Sequence, residues 1–258
     1  MALLFDDAST QYLSYAGAIL TATPMSMSAL VYKDDGAVGG IMLSIGNSLT
    51  AARFQLQYDA NEDVDCTATS VAGGNNPATS SGAGGNDVWL HAGGVWASAT
   101  SRTAYRDGGN KGTNAVSTIP LLCDRTFIGA KADSAGPGTY MSGGLAEIAL
   151  WDIDLTDAEM TILSQFVSPI CVRPGNLVAY WRLVDATSPA IDIVGGYHMT
   201  FNGSPTKMAH PRVFYPAPKT YVYAKTAVAG QPTWKRLGGT PWAGGRLAAP
   251  TQVWSKAA

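Results

Sequence analysis

The sequence predicts an all-β fold: an antiparallel β-sandwich with one short helix and an extended C-terminal arm rich in proline and tryptophan. Segments in which apolar and polar residues alternate recur as far as residue 201, with turn-forming residues between them. The 258 residues include 29 Gly and 14 Pro, which favour many turns and few helices. A single capped helical pattern follows residue 156.

Strands are predicted where apolar side chains occupy every second position. Phe54, Leu56 and Tyr58 alternate strictly with polar residues, which indicates one buried and one solvent-facing side. Asp107-Gly108 is a hairpin signal at the end of such a segment. Repeated strands of this kind indicate an antiparallel sandwich. The predicted strands span residues 12–15, 26–32, 41–45, 53–58, 88–92, 104–106, 126–128, 143–151, 177–183 and 197–201.

The one predicted helix begins after Thr156. Thr156 and Glu159 have the spacing of a capping box, in which each side chain bonds the backbone amide of the other residue. Met160, Leu163 and Val167 follow at helical spacing, and a proline stands at position 169. We therefore expect a helix from about residue 157 to residue 167.

Composition and charge exclude several classes of function. The net charge is −2 and no basic run is present, so the chain lacks the electrostatic footprint of a nucleic-acid-binding protein. No apolar stretch approaches the roughly 18 residues that a membrane span needs. The first residues have neither a basic segment nor a long apolar one, which predicts no secretory signal. With 14% charged residues, the surface favours packing against other protein, although a monomer could carry it too.

The three cysteines are an odd number at wide spacing. Cys66, Cys123 and Cys171 form no Cys-x-x-Cys pair, so we expect no disulfide framework and no zinc site. Reduced thiols are typical of a reducing compartment.

The domain boundary is expected near Ser204. From residue 205 onward prolines are too dense for a continuous sheet, while aromatic residues are too dense for complete disorder. We predict a sandwich over residues 1–204 and an extended arm over 205–258 that docks on a partner. The alternative is that the arm wraps its own sandwich. The predicted docking residues are Phe214, Tyr215, Trp234, Trp242 and Trp254.

Several segments, in their order along the chain, resemble laminin-G-like domains, which are concanavalin A-like jelly rolls. Residues 5–13 are similar to the opening Phe-Asp-Gly strand of that family, and residues 86–95 to its Trp-x-His strand. Residues 105–108 match its Tyr-x-Asp-Gly hairpin, and residues 145–159 its closing strand and helical turn. The resemblance implies a jelly-roll sandwich that binds or assembles rather than catalyses.

The order of the segments departs from the family in one respect. The block at residues 177–181 looks like the segment that usually opens such domains, but here it closes the domain, as in a circular permutation. Together with the aromatic tail at 210–216, this arrangement resembles structural proteins of tailed bacteriophages. The resemblance implies a capsid decoration or head/tail accessory subunit in the virion, assembled in the bacterial cytoplasm. Its partners would be virion proteins such as the major capsid protein, and it would form a homo-oligomer such as a trimer.

Catalysis is not expected. Glycoside hydrolysis needs two carboxylates, and the Glu-x-Asp-x-x-Glu strand of sandwich glucanases is missing. Glu147, Asp152 and Asp154 are the nearest approach. No cofactor is predicted; calcium is the alternative, at residues 34–36 or 59–65, where the acidic residues are expected to be solvated turns.

A second interpretation is a carbohydrate-binding adhesin that recognises host glycans. Exposed aromatic rings stack on sugar rings, and amide side chains in loops bond sugar hydroxyls. Trp96 and Tyr140 lie near glycine-rich turns and are the predicted platforms, although core packing is the alternative for both. Asn75 and Asn76 lie in the glycine-rich segment 71–86, which we expect to be a surface loop.

Overall fold

The computed structural model describes residues 1–33, 39–59, 61–82 and 87–215, together with the backbone of residues 223–228 and 231–236. The chain divides into two compact units, Met1–Tyr215 and Pro216–Ala258. Among the described residues, no helix has the length and apolar character to cross a bilayer.

Short strands dominate the described residues. The elements in chain order are β1 (Ala2–Phe5), β2 (Tyr12–Tyr15), β3 (Met25–Tyr32), β4 (Gly40–Gly46), β5 (Arg53–Tyr58), β6 (Val64–Thr69), β7 (Asn75–Thr79), β8 (Trp89–Ser98), β9 (Ser101–Arg106), β10 (Gly109–Asn114), β11 (Arg125–Ile128), β12 (Lys131–Asp133), β13 (Gly136–Gly138), β14 (Gly143–Trp151), α1 (Asp157–Ser164), a 3₁₀ turn (Pro169–Cys171), β15 (Leu177–Trp181), β16 (Thr200–Asn202), β17 (Thr206–Met208), β18 (Tyr223–Val228) and β19 (Gln231–Arg236).

Two antiparallel sheets form the first unit and confirm the predicted sandwich. The eight-stranded sheet has the order β10-β9-β8-β3-β14-β1-β17, with β15 also paired to β14. The seven-stranded sheet has the order β16-β2-β11-β4-β5-β6-β7. The core lies between them, where side chains such as Leu13, Phe54, Trp96, Ile148 and Trp181 meet. In β5, Phe54, Leu56 and Tyr58 all enter this core as predicted, but the other side of the strand is not fully solvent-facing, because Gln55 is 3% exposed.

The outer face of the eight-stranded sheet is covered by a second apolar layer. Met160 and Leu163 of α1 pack with Trp151 and Tyr180, which point away from the core. The capping box is confirmed, since the Thr156 hydroxyl accepts from the Glu159 amide at 3.3 Å and the Glu159 carboxylate accepts from the Thr156 amide at 2.9 Å.

The helix is shorter than predicted. It ends at Ser164, and Phe166 adopts a φ of 58°, which turns the chain out of the helix. Val167 instead forms a parallel bridge with Phe214. The expectation that Val167 belongs to the helix is therefore wrong.

β6 and β7 are among the strands that lie where none was predicted. β6 pairs with β5 over its whole length, and β7 lies inside the glycine-rich segment 71–86 that was expected to be a loop. Backbone pairing to β6 supplies the hydrogen bonds of this edge strand, so an alternating apolar pattern is not required. Residues 83–86 of the segment lie outside the described residues.

The sandwich unit continues past Ser204, where the sequence predicts its end. β17 pairs with β1, with Ala2 opposite Met208, and the compact unit ends at Tyr215. The predicted arm therefore divides into a first part that belongs to the sandwich unit and a second part, which contains the antiparallel hairpin β18–β19. Trp234 lies on β19, whereas Trp242 and Trp254 lie outside the described residues.

β14 is the centre of the eight-stranded sheet. Along one edge, β14 pairs first with β1, at Gly143–Leu145, and then with β15, at Ile148–Trp151. β15 is the segment that usually opens such domains, and here it lies end to end with β1 along β14. A bulge between Ala146 and Ala149 separates the two pairings, and Glu147 has a φ of 53° there. The bulge sends the Glu147 side chain to the outer face.

Candidate functional site

An open groove of about 340 Å³ crosses the outer face of the seven-stranded sheet. It forms where β2 and β11 pair, because Leu13 and Ile128 enter the core and the residues beside them face outward. The β12–β13 hairpin lies over neighbouring β4, where the Ala132 amide donates to Ser44 Oγ at 3.2 Å. The groove is lined by Tyr12, Ser14, Tyr15, Ala16, Ser48, Asp124, Arg125 and Phe127.

Aromatic rings line part of the groove. The rings of Tyr12 and Phe127 have centroids 5.2 Å apart, and the Tyr140 ring lies 6.1 Å from that of Tyr12. The Tyr140 hydroxyl donates to the Pro137 carbonyl at 3.1 Å, which fixes the ring. Partial burial, with the nearby Tyr140 hydroxyl, raises the pKa of Tyr12, so this phenol is neutral and can donate a hydrogen bond.

Charged and hydroxyl groups also line the groove. Asp124 accepts from the Ser48 amide at 2.9 Å and from the Ser48 hydroxyl, and its carboxylate lies 3.5 Å from Arg125 Nε. Partial desolvation opposes ionisation of Asp124, but the bonds from Ser48 and the charge of Arg125 prevail and lower its pKa. The Arg125 guanidinium lies 5.8 Å from the centre of the Phe127 ring. Among the described residues, none accepts a hydrogen bond from its two terminal nitrogens.

Of the two predicted sugar platforms, Tyr140 does not itself line the groove but packs against Tyr12, which does. Trp96 is wholly buried: its Nε1 donates to the Thr67 carbonyl at 3.1 Å and its ring packs edge-on against Phe54. The expectation of Trp96 as a surface platform is therefore wrong, because its position in β8 points into the core.

The predicted asparagines lie elsewhere. Asn75 and Asn76 are on β7, at the far edge of the sheet from β2 and β11. Asn75 accepts from the Thr69 hydroxyl at 2.8 Å, and Asn76 donates to the Thr118 hydroxyl at 2.9 Å. The structure does not bring them together with Tyr140.

The residues that sequence reasoning missed are those of β2 and β11. Tyr12 was a visible signal, since an aromatic residue next to the inward-facing Leu13 must point outward. Asp124 and Ser48 gave no such signal, because they are far apart in sequence and meet only when β4 and β11 pair.

The acidic segments considered for calcium are partly described. Asp59 accepts from the amides of Asn61 at 2.8 Å and Asp63 at 2.9 Å, which closes a turn on itself. Asp65 accepts from Gln57 and Thr79. Within the described ranges, no group of three His, Cys, Asp or Glu residues could hold a metal ion. Residues 34–36 lie outside those ranges.

Glu147, the carboxylate considered for hydrolysis, is buried in a polar cluster on the outer face of the eight-stranded sheet. Its side chain is 1% exposed and accepts from the hydroxyls of Tyr180 and, at 2.8 Å, Tyr215. His210 Nε2 lies 3.1 Å from Glu147 Oε1, although its direction is poor for a hydrogen bond. Arg182 lies over the Tyr215 ring at 4.5 Å. Of the two predicted docking residues here, Tyr215 is held by Glu147, and Phe214 is 58% exposed.

Solved structures share this fold at low sequence identity. A heptameric pentraxin from Limulus polyphemus has a TM-score of 0.52 and 15% identity, covering 63% of this chain and 81% of the pentraxin. A candidate carbohydrate-binding protein from Bacteroides ovatus has a TM-score of 0.54 and 16% identity, covering 80% and 61%. The enzymatically active domain of tailspike protein 2 of bacteriophage CBA120 has a TM-score of 0.51 and 17% identity, covering 70% and 29%. At sequence identities this low, the structural similarity establishes the fold alone.

Sequence comparison identifies the family. Among curated proteins, none matches the chain. The laminin-G family that is described as the concanavalin A-like lectin/glucanases superfamily matches residues 7–161, which is more than half of the sequence. The chain therefore belongs to the concanavalin A-like lectin/glucanase superfamily.

Proposed function

We propose that the chain is a non-enzymatic carbohydrate-binding protein and that the groove between β2 and β11 is its sugar site. The observation that carries the proposal is that the rings of Tyr12 and Phe127 and the charged groups of Asp124 and Arg125 line one groove, with Arg125 5.8 Å from the centre of the Phe127 ring. Ligand sites combine apolar rings with a few convergent polar groups in volumes of about 300–1,000 Å³. A short saccharide fits such a site, because each sugar ring has an apolar face and carries hydroxyl groups around its edge.

Each group that lines the groove has a distinct part in binding. Tyr12 offers a ring to the apolar face of the sugar, and its phenol donates to a hydroxyl. Asp124 accepts from sugar hydroxyls, and its bonds from Ser48 hold it in place and ionised. Arg125 donates from its two terminal nitrogens, and charge-assisted bonds of this kind are roughly twice as strong as neutral ones.

The absence of catalysis is also part of the proposal. Asp124 is the one carboxylate among the described residues that line the groove. Glycoside hydrolysis in this fold uses a pair of carboxylates, with the second one about 5–10 Å away. The buried Glu147 does not supply it, because its oxygens face Tyr180, Tyr215 and His210.

A glycan array followed by titration calorimetry tests the sugar site. We expect Tyr12→Ala and Arg125→Ala each to weaken binding of the best array glycan about tenfold or more, which corresponds to about 1.4 kcal/mol. Phe214→Ala is the matched control, since it removes an exposed ring that does not line the groove. The proposal fails if the wild type binds no glycan or if all three variants bind alike.

We propose as a second function that the chain is a structural subunit of a phage virion, in which the sandwich displays the groove. The supporting observation is that Pro216–Ala258 forms a compact unit of its own, so it can engage a partner separately. The partners would be virion proteins such as the major capsid protein, and the subunit would be a homo-oligomer, in the simplest case a trimer.

A density gradient on lysate from the cells that naturally produce the protein tests this role. We expect the full chain to sediment with large particles and a chain that ends at Tyr215 to remain in the light fractions. The deletion must begin at residue 216, because β17 and His210 belong to the sandwich unit. Full-length protein found wholly in the light fractions would contradict the virion role.

A further inference from the structure

Hydrogen-bond donors outnumber free acceptors among the side chains that line the groove. Of the N–H groups of the Arg125 guanidinium, only that of Nε faces an acceptor among the described residues, the Asp124 carboxylate at 3.5 Å. The Tyr12 phenol is neutral, and the Ser14 hydroxyl accepts from the Asn202 side-chain amide at 2.8 Å, so both hydroxyls keep a proton to donate. Three groups of the groove therefore have donors for a ligand.

The acceptor side of the groove is already largely engaged. Asp124 is the one carboxylate among the described residues that line it. Its oxygens accept from the Ser48 amide at 2.9 Å and from the Ser48 hydroxyl, and Arg125 Nε lies beside them. A carboxylate accepts about four hydrogen bonds, so roughly one position is left for a ligand. The ligand that fits this balance brings more acceptors than donors.

The Arg125 guanidinium is held in place before a ligand arrives. Arg125 and Phe127 are two residues apart on β11 and share a face of the sheet, with the guanidinium 5.8 Å from the centre of the ring. Asp124 takes the Nε position, which leaves the two terminal nitrogens as a fork for a second acceptor. The spacing of this fork matches the two oxygens of a carboxylate. A side chain that is fixed in advance loses less entropy on binding.

We propose that the sugar bound in the groove carries a carboxylate, as uronic and sialic acids do, and that Arg125 binds this carboxylate through its two terminal nitrogens. The inference rests on the proposed sugar site and names the class of its ligand. The hydroxyls of a neutral sugar both donate and accept, whereas a carboxylate only accepts, as the donor-rich groove requires. Asp124 repels a second anion, but the charge of Arg125 offsets that of Asp124, and Ser48 engages both Asp124 oxygens.

The test compares glycans that differ in a single carboxylate. An array presents uronate- and sialate-terminated glycans, each beside its carboxyl-reduced counterpart, in which a CH₂OH group replaces the carboxylate. Titration calorimetry then measures the best pair. We expect the wild type to bind the acidic form about tenfold more tightly, because a bidentate charge-assisted contact is stronger than a neutral one while Asp124 cancels part of the gain. Added salt should weaken binding of the acidic form and leave that of the reduced form nearly unchanged.

Variants of two arginines assign the preference to a position. Arg125→Gln should bind the acidic and reduced forms alike, because it removes both the fork and the charge. Arg125→Lys keeps the charge without the fork and should recover only part of the preference. Arg212→Gln is the matched control, since Arg212 is exposed and does not line the groove. It should keep the full preference for the acidic form.

The outcomes separate the carboxylate contact from the sugar site. Equal wild-type affinity for the two forms of every pair would overturn the carboxylate contact and leave the sugar site standing. A preference that persists in Arg125→Gln would show that Arg125 does not carry it. If sulfated glycans on the array bind and carboxylated ones do not, the anion is not a carboxylate and the proposal is wrong. If no glycan of any charge binds, the sugar site itself fails.

Discussion

Replacement of Glu147 should release the last residues of the sandwich unit before the rest of the fold. Glu147 is buried on an otherwise apolar face, and two of its partners, His210 and Tyr215, lie on the segment that follows β17. Truncating one partner of a buried charged network typically costs about 3–5 kcal/mol of unfolding free energy, because the remaining polar groups stay buried.

The hydrogen bonds that remain after Glu147 is truncated indicate where in the range of about 3–5 kcal/mol the loss of unfolding free energy lies. In Glu147→Ala, Tyr180 keeps its bond with the Ser168 hydroxyl at 3.1 Å, and Tyr215 keeps the bond from Arg182 at 2.9 Å. The His210 ring is left beside a new cavity. We therefore expect a loss of about 3 kcal/mol, at the lower end of the range. Glu147→Gln keeps one acceptor oxygen and should cost about 1–2 kcal/mol, close to the contribution of a hydrogen bond to a charged group.

Urea unfolding and amide hydrogen exchange measure the two parts of this prediction. The free energy of unfolding should fall in the order wild type, Glu147→Gln, Glu147→Ala, and residues 210–215 should lose protection first. Asp152→Asn is the control, since Asp152 is an exposed carboxylate at the end of the same strand, bonded to Asn176. If Glu147→Ala unfolds at the wild-type urea concentration with unchanged exchange at 210–215, the cluster does not hold this segment.

Three further predictions concern buried or capping residues. Burial lowers the pKa of His91 to about 3, below its ordinary value of about 6.5, so between pH 7 and 5 only the unfolded chain binds this proton. The free energy of unfolding measured in urea should therefore fall by about 2 kcal/mol between pH 7 and 5. His91→Gln should remove that part of the pH dependence. Trp96→Ala should lower stability by about 3–5 kcal/mol through the cavity and the unpaired Thr67 carbonyl, and a thermal melt that matches the wild type would refute its core position. Thr156→Ala should cost about 1 kcal/mol by removing the cap shared with Glu159, measurable as a lower urea midpoint that Thr156→Ser restores.

The fold could be predicted where side-chain pattern and backbone structure agree. β5 alternates along its length, and the capping box marks the start of α1, so local sequence carried enough information there. In β14 the bulge at Glu147 interrupts the alternation, so that Leu145, Ile148 and Leu150 face the core. Local sequence did not predict β7, because an edge strand can be held by backbone hydrogen bonds alone. Local sequence also did not predict the end of α1. Val167 has helical spacing but pairs with Phe214, which is distant in sequence.

The site was harder to predict than the fold. Trp96 and Tyr140 looked alike in the sequence, since both are aromatic residues near glycine-rich turns. Only the direction of each side chain separates them, and direction depends on the strand register: Trp96 enters the core, whereas Tyr140 packs on Tyr12 at the surface. The cluster around Glu147 could not be foreseen, because Tyr215 lies 68 residues away in sequence.

The pairing of β1 with β17 decides how the sandwich unit responds to mechanical force. Ala2 lies opposite Met208, so the chain enters and leaves this antiparallel pair at the same end. Tension between Met1 and the chain beyond Tyr215 would unzip the pair one residue at a time, a geometry that yields at lower load than shear. The contacts of Glu147 with His210 and Tyr215 lie ahead of β17 on that route and meet the load first. In optical-tweezer pulling between residues 1 and 215, Glu147→Ala should therefore lower the force of the first opening event, while the later force that opens the core stays unchanged.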